Sequence, residues 1–441
     1  MGFGRDQRYN SQMRAALAFI AAAALGACGE PSTTPSEHVA TPPNAPAGPS
    51  AAASTAATQP GKALVEGATV RPHHEEAVTE CPASITDTVD DEGRVAVLLD
   101  EANRQIEHAK YAAAWTCADR AADLTPTSVE AHHLRGAALA ALGRDSEAQM
   151  AYALALSLDP DDPETLRAVA DFYINGKGER GRDALRLGLE LAQRGSRRAA
   201  ARRRRNPPLA ADLAVLEAQA LNDLGRSDEA LTRVEAALRI AAGRGDALHE
   251  KGVALFDLSR FADAKTAFSR ALVIQPEDAY THQMLGLTLE QLGDQKGADA
   301  SLAKAMQLAP GELSAPVLIS VPEFQKEVDA IVASLGAERR GRVKLIKIEV
   351  ADLPSADDLA AVKPPFPPTI LGLYRGPVGR PVQLPPPPGE ETPSIVLYRK
   401  NLARAVKSRS ELSEQIRDTL LHEIGHLEGL DEDDLRRRGM E

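Results

Sequence analysis

The sequence predicts a multidomain protein in which an all-α solenoid of helical repeats precedes a small α+β domain. Small residues recur at a fixed spacing through the middle of the chain, and β-rich runs between proline clusters follow them. A low-complexity segment lies between the start of the chain and the repeats. We expect a signal peptide at 1–27, a tether at 28–75, the repeat array at 76–312 and the α+β domain at 313–441.

The first residues have the pattern of an export signal. Three arginines precede an apolar run at 15–25 that is too short to span a membrane. Residues 25–28, LGAC, resemble a bacterial lipoprotein signal, which implies that Cys28 is the first mature residue and carries the lipid. We therefore expect an extracytoplasmic protein that is lipid-anchored in the bacterial envelope, in the outer membrane because Gly29 replaces the retention aspartate. An uncleaved apolar anchor with a coincidental cysteine is the alternative.

The tether at 28–75 is rich in Pro, Ser, Thr and Ala, so it buries too little apolar surface to fold and is predicted to be disordered. The chain has three cysteines, and lipidation of Cys28 would leave Cys81 and Cys117. In an oxidising compartment these two can form a disulfide, which would stabilise the fold by roughly 3 to 4 kcal/mol. Two separate buried thiols are the alternative.

An internal repeat occupies the middle of the chain. Each copy has a small residue, a large apolar residue, a second small residue and a proline. This pattern resembles the tetratricopeptide repeat, in which small residues let two helices touch, and proline ends the second helix. The resemblance implies about six units over 95–312, the third being irregular, and a concave surface that binds a protein or peptide partner. The copies that carry the pattern are Ala148, Tyr152, Ala155 and Pro160; Ala264, Phe268, Ala271 and Pro276; and Ala298, Leu302, Ala305 and Pro310.

Charge argues against one class of partner. The formal net charge is −12, and no basic face carries interleaved aromatic residues, so we expect no nucleic-acid binding. The arginine-rich stretch from Arg194 to Arg205 is interpreted as a solvated linker between repeats.

In the last domain, apolar residues first recur at helical spacing and later alternate with polar residues as in a strand. Pro322–Leu335 is predicted to be an amphipathic helix, and Val343–Ala351 a half-buried strand. Ile370–Tyr374 and Ile395–Tyr398 are further predicted strands, with proline-rich loops around them. A helix near the C-terminus completes the domain, and Ser410 is its predicted N-cap.

This last helix carries the sequence His422-Glu423-Ile424-Gly425-His426. Residues four apart lie on one helix face, so His422 and His426 can bind one metal ion together, with Glu423 beside its open position. A catalytic zinc needs a third protein ligand. Gly429 can turn the chain back after the helix, which makes Glu432 the candidate third ligand and Asp431 its alternative.

Three blocks of sequence, ILGLYRG at 370–376, PSIVLYR at 393–399 and TLLHEIGH at 419–426, resemble the minimal zincin-like metallopeptidase family of small bacterial proteins. The resemblance extends from about residue 322 to the C-terminus. It implies Zn²⁺ as cofactor, His422 and His426 as ligands, and Glu423 as the catalytic carboxylate. The family usually has aspartate where this chain has Glu432.

Two tyrosines are further candidates for the site. Tyr374 and Tyr398 end β-rich runs and could donate hydrogen bonds to an oxyanion or bind substrate. The alternative is that each is a half-buried strand residue with its hydroxyl in water. Taken together, the chain is expected to be a membrane-anchored zinc metallopeptidase whose array recruits a substrate or partner. The alternative is a binding scaffold with an inactive zincin-like domain.

Overall fold

The structure is a computed structural model that describes residues 80–81, 90–176, 181–201, 206–377 and 392–439. The predicted signal peptide, the tether and Cys28 lie outside the described residues. Within the described residues, no helix combines the length and apolar character needed to cross a bilayer.

The repeat array consists of six helical hairpins within the described residues, as the sequence predicts. Successive helices pack in order along the chain, so each hairpin covers the apolar face of the next. The helices are α1 Asp91–Glu107, α2 Tyr111–Leu124, α3 Val129–Ala141, α4 Asp145–Leu158, α5 Pro163–Asn175, α6 Arg182–Ala201, α7 Pro207–Asp223, α8 Ser227–Ile240, α9 Gly245–Asp257, α10 Phe261–Ile274, α11 Ala279–Gln291 and α12 Gln295–Leu308.

Glycine permits the close approach of the two helices in a hairpin. A Cβ atom at Gly136 would lie 2.7 Å from the ring of Tyr152, and one at Gly286 would lie 2.6 Å from Leu302 Cγ. Both distances are shorter than two carbon atoms tolerate. The small and large residues of the repeat therefore mark the helix–helix contact.

The third hairpin is irregular because its second helix is longer. α6 has 20 residues, whereas α8, α10 and α12 each have 14. Part of the arginine-rich stretch belongs to this helix, so its interpretation as a linker is wrong for the residues up to 201. Arg194 and Arg198 both pair with Asp161, at 2.8 and 2.7 Å, which ties the long helix to the preceding unit.

A disulfide joins Cys81 to Cys117 at the start of the array. Both residues are buried, and Cys117 lies in the core between α1 and α2. The bond links a segment that precedes the first repeat to the second helix of that repeat.

The last domain contains, within the described residues, a three-stranded sheet with helices on one face. The sheet has the order β1-β3-β2, with β1 parallel and β2 antiparallel to β3, so β2 is an edge strand. The predicted strand from Val343 begins later, because Val343 ends a short helix that arginine and alanine favour. The elements are α13 Val321–Ser334, α14 Ala337–Val343, β1 Lys347–Ala351, α15 Ala356–Leu359, β2 Gly372–Arg375, β3 Ser394–Tyr398, α16 Arg399–Arg404, α17 Arg409–Leu427 and α18 Glu432–Arg437.

Helix α17 carries the histidine motif and packs on β2 and β3. It begins two residues before the predicted point, because the N-cap is Ser408, whose hydroxyl accepts from Glu411 N–H at 3.2 Å. The helix ends at Leu427, and Gly429 lies just past its end with a φ of 88°, as predicted. The N–H of Leu430 donates to the Gly425 carbonyl at 3.0 Å, which closes the turn.

The array contributes one residue to the core on the opposite face of the sheet. Phe261 at the start of α10 packs into the core formed by Leu373, Val396 and Tyr398. Beside it, Lys400 Nζ donates to the buried carboxylate of Glu290 on α11 at 3.0 Å, and Arg404 of α16 pairs with the same carboxylate. The last repeats therefore contribute to the core that supports the strands beneath the metal motif.

Candidate metal centre

The two histidines of the motif lie one turn apart on α17, on the side that faces β2. His422 and His426 are both buried, and their ring centroids are 4.9 Å apart. This is the arrangement expected from their spacing in the sequence.

Glu432 reaches both rings. The turn at Gly429 sends the chain back, and α18 begins at Glu432. Its Oε1 lies 2.8 Å from His426 Nε2 and 3.4 Å from His422 Nε2. Asp431 instead is the N-cap of α18, where its carboxylate accepts from Asp434 N–H at 2.8 Å. Of the two candidates for a third ligand, Glu432 lies against the histidines, whereas the Asp431 carboxylate caps α18.

The hydrogen bonds of the site leave His426 Nε2 directed at the cluster. His426 Nδ1 lies 3.0 Å from the Leu430 carbonyl, which can only accept, so Nδ1 carries a proton and Nε2 is the nitrogen that faces Glu432. Burial opposes protonation, but the hydrogen bond to Glu432 and the charge of Glu423 raise the pKa of His426 above its usual value. Burial raises the pKa of the Glu432 carboxyl, but hydrogen bonds with the two imidazoles outweigh burial, so the pKa is lower than usual.

These three side chains fit a divalent zinc ion. One ligand atom of each of His422, His426 and Glu432 lies within 4.8 Å of the others. A carboxylate oxygen and an imidazole nitrogen at 2.8 Å both attract positive charge, so a proton or a cation must lie between them. Two nitrogen ligands and one oxygen ligand match a catalytic zinc site, which keeps its fourth position open.

Glu423 lies beside this cluster without belonging to it. It is buried, and its carboxylate accepts a hydrogen bond from the backbone N–H of Tyr374 on β2. Burial raises the pKa of the Glu423 carboxyl, and the two neighbouring histidines oppose the shift. A Cβ atom at Gly372 would lie 3.1 Å from Glu423 Oε1, so the glycine lets the strand approach the carboxylate.

The two candidate tyrosines lie on opposite faces of the sheet. The ring of Tyr374 stacks on His426, with centroids 6.4 Å apart, and burial raises the pKa of Tyr374 to about 12. Tyr398 belongs to the core on the array side, and burial together with the nearby charge of Asp358 raises the pKa of its hydroxyl. Both side chains are buried, so the interpretation of half-buried residues with hydroxyls in water is wrong. Side chains alternate along a strand, which places only Tyr374 beside the histidines.

Gly425 has a role that the sequence analysis did not identify. A Cβ atom there would clash with Leu435 Cδ2, because α18 packs directly on this turn of α17. Leu435 is fully buried and lies one turn after Glu432. The glycine inside the motif was the available signal, since close approach of another element is a reason for glycine in a helix.

We expect Gly425→Ala to weaken zinc binding, because the new methyl group pushes α18 and its Glu432 away from the histidines. Measurement of zinc affinity by chelator competition checks this. Adding Leu435→Ala should restore part of the affinity, since it removes the clashing atom. Gly341→Ala is the matched control, because a Cβ atom there meets nothing within 4 Å. A double variant no better than Gly425→Ala alone would rule out this packing role.

Two arginines of α14 fix the end of the metal-bearing helix. Arg339 donates from Nε and Nη2 to both carboxylate oxygens of Glu428, at 2.9 and 3.1 Å. Arg342 Nη2 donates to the Leu427 carbonyl at 3.3 Å. Sequence reasoning missed both, because their partners lie more than 80 residues away in the chain.

Comparison with known families agrees with the two-part architecture. Residues 343–440 match the family described as Zincin-like metallopeptidase. Residues 129–162 and 279–312 match the tetratricopeptide repeat. The chain therefore carries tetratricopeptide repeats and a C-terminal zincin-like metallopeptidase domain. No curated protein matches the chain.

Among solved structures, the array is similar to bacterial repeat proteins. PilF of Pseudomonas aeruginosa is 12% identical, with a TM-score of 0.43 over 54% of this chain and 99% of that one. PilW, a type IV pilus biogenesis factor, is 15% identical, with a TM-score of 0.42 over 49% and 94%. YrrB, a TPR protein with an unusual peptide-binding site, is 16% identical, with a TM-score of 0.33 over 44% and 93%. At these values the likeness carries no argument about function.

Proposed function

We propose that the protein is a zinc-dependent peptidase in which His422, His426 and Glu432 hold Zn²⁺ and Glu423 is the general base. The observation that carries this proposal is the convergence of the three ligand atoms beside a buried carboxylate that is not one of them. A bound zinc ion supplies Lewis acidity and lowers the pKa of a water molecule toward about 7.

The chain's own residues divide the remaining work. Glu423 accepts the proton of the attacking water and returns it to the leaving amine, and its raised pKa suits both steps. The Tyr374 N–H holds the Glu423 carboxylate in place. Because β2 is an edge strand of the sheet formed by the described residues, we expect an extended peptide to add beside it and so pass Glu423.

The array and the N-terminus complete the proposal. The tetratricopeptide repeats would bind the protein or peptide partner. An acylated Cys28 would anchor the chain outside the cytoplasm, at the outer membrane. The disulfide between Cys81 and Cys117 supports an oxidising compartment. The alternative remains a tethered binding scaffold whose metallopeptidase domain is inactive.

Metal removal separates these functions. We expect natively purified protein to contain one zinc ion per chain, by elemental analysis, and to hydrolyse a degenerate peptide library. A strong chelator should abolish hydrolysis, and added Zn²⁺ should restore it. Stoichiometric zinc without hydrolysis would favour the scaffold. Absence of zinc, with no uptake on addition, would refute the metal centre.

A further inference from the structure

Arg342 places a positive charge beside the metal centre. It lies on α14, and its Nη2 donates to the carbonyl of Leu427, the residue that follows His426. Its charge also acts on Tyr374, whose ring stacks on His426. The guanidinium therefore lies next to the side of the centre formed by Tyr374 and the end of α17.

No carboxylate among the described residues pairs with this arginine. Its Nε is buried without a hydrogen-bond partner in that part of the chain. Its neighbour Arg339 differs, because both oxygens of Glu428 accept from it. In Arg342, Nε–H has no partner among the described residues and adjoins Nη2, which has a second N–H besides the one that Leu427 accepts, so one carboxylate can accept from both nitrogens. An unsatisfied buried N–H is unfavourable, and a ligand carboxylate would relieve that cost.

We propose that Arg342 binds a carboxylate of the peptide substrate, either the C-terminal carboxylate or an aspartate or glutamate side chain near the cleaved bond. This inference rests on the proposed peptidase function and names its substrate class. The positive charge of Arg342 attracts such a carboxylate. The planar guanidinium also fixes the carboxylate in one orientation, which a lysine ammonium does not.

A binding measurement tests Arg342 without catalysis. The probes are N-acetylalanine, N-acetylaspartic acid α-amide and, as a neutral control, N-acetylalaninamide. We expect the Arg342 Nε–H signal in an NMR spectrum of arginine-labelled, zinc-loaded protein to shift saturably with one or both acids. Its assignment comes from its loss in Arg342→Gln. The two acids distinguish a C-terminal carboxylate from a side-chain carboxylate.

A hydrolysis measurement tests the consequence. The substrates are three degenerate peptide libraries: free C-terminus without Asp or Glu, amidated C-terminus with Asp and Glu, and amidated C-terminus without either. Arg342→Gln should raise KM about 10- to 100-fold for the libraries that carry the recognised carboxylate and leave kcat unchanged. Any effect of the lost hydrogen bond to the Leu427 carbonyl should appear equally in the neutral library, which therefore serves as the baseline. Arg340→Gln is the matched control, because Arg340 is on the same helix and its hydrogen bond, to the Ala333 carbonyl, lies away from the metal-bearing helix.

The outcomes separate the two proposals. An Arg342 signal that neither acid moves, or an equal loss with all three libraries, overturns the role of Arg342. A wild-type protein that cleaves no library refutes the peptidase function, while the NMR measurement still decides whether Arg342 binds a carboxylate. Zinc content and far-UV circular dichroism of Arg342→Gln establish that the variant is folded.

Discussion

Glu423→Gln is expected to reduce peptide hydrolysis by about 10²- to 10⁴-fold while the protein keeps its zinc. Glutamine has nearly the same shape, and its carbonyl can still accept from the Tyr374 N–H. It cannot accept a proton from water at neutral pH. Glu423 lies outside the three-ligand cluster, so its replacement leaves the ligands in place. Steady-state kinetics together with zinc analysis measure the two effects separately.

The control for this variant is Glu414→Gln, which changes an exposed glutamate on the same helix. It should alter neither zinc content nor rate. Equal hydrolysis by wild type and Glu423→Gln would exclude Glu423 as the general base. Loss of zinc in Glu423→Gln would instead indicate that this carboxylate supports the metal directly.

Glu432→Ala is expected to weaken zinc binding by more than about 100-fold, since loss of groups that only support the ligands already costs 10- to 100-fold. Removal of its carboxylate leaves two imidazoles and no anionic ligand. Asp431→Ala should retain zinc and lose only the helix N-cap, which costs roughly 1 kcal/mol of stability. Chelator competition gives the affinities, and thermal unfolding gives the stabilities.

Asp433→Ala serves as the matched control, because Asp433 is exposed and pairs with Arg436 along the same helix. The assignment of the third ligand fails if Asp431→Ala releases zinc and Glu432→Ala does not. In that case the N-cap of α18 would have to rearrange when the metal binds.

Two predictions from sequence depended on spacing within one repeat or one helix, and both match the structure. Tyr152 lies at a helix–helix contact because the repeat fixes which residues of a hairpin face each other. His422 and His426 share a helix face because they are four residues apart. Errors arose where a local signal had a near rival, as for the N-cap, where Ser408 replaces Ser410.

The positions of Tyr374 and Tyr398 could not be derived in the same way. Both end β-rich runs of similar sequence, and only the pairing of Tyr374 with Ile395 across the two strands fixes which face each tyrosine occupies. The buried contact of Phe261 with the sheet is likewise a matter of tertiary packing, since nothing near Phe261 in the chain indicates its partner.

The sequence by itself determined the repeat array, the α+β class of the last domain, and the helix that carries two histidines and a glutamate. Periodicity and residue type are enough for these features, because they depend on neighbours within one element. Only the tertiary structure brought Glu432 to the histidines in preference to Asp431, and Arg342 to the side of the centre. Both results depend on the turn at Gly429 and on hydrogen bonds from α14 to the end of α17, which join residues that are far apart in the chain.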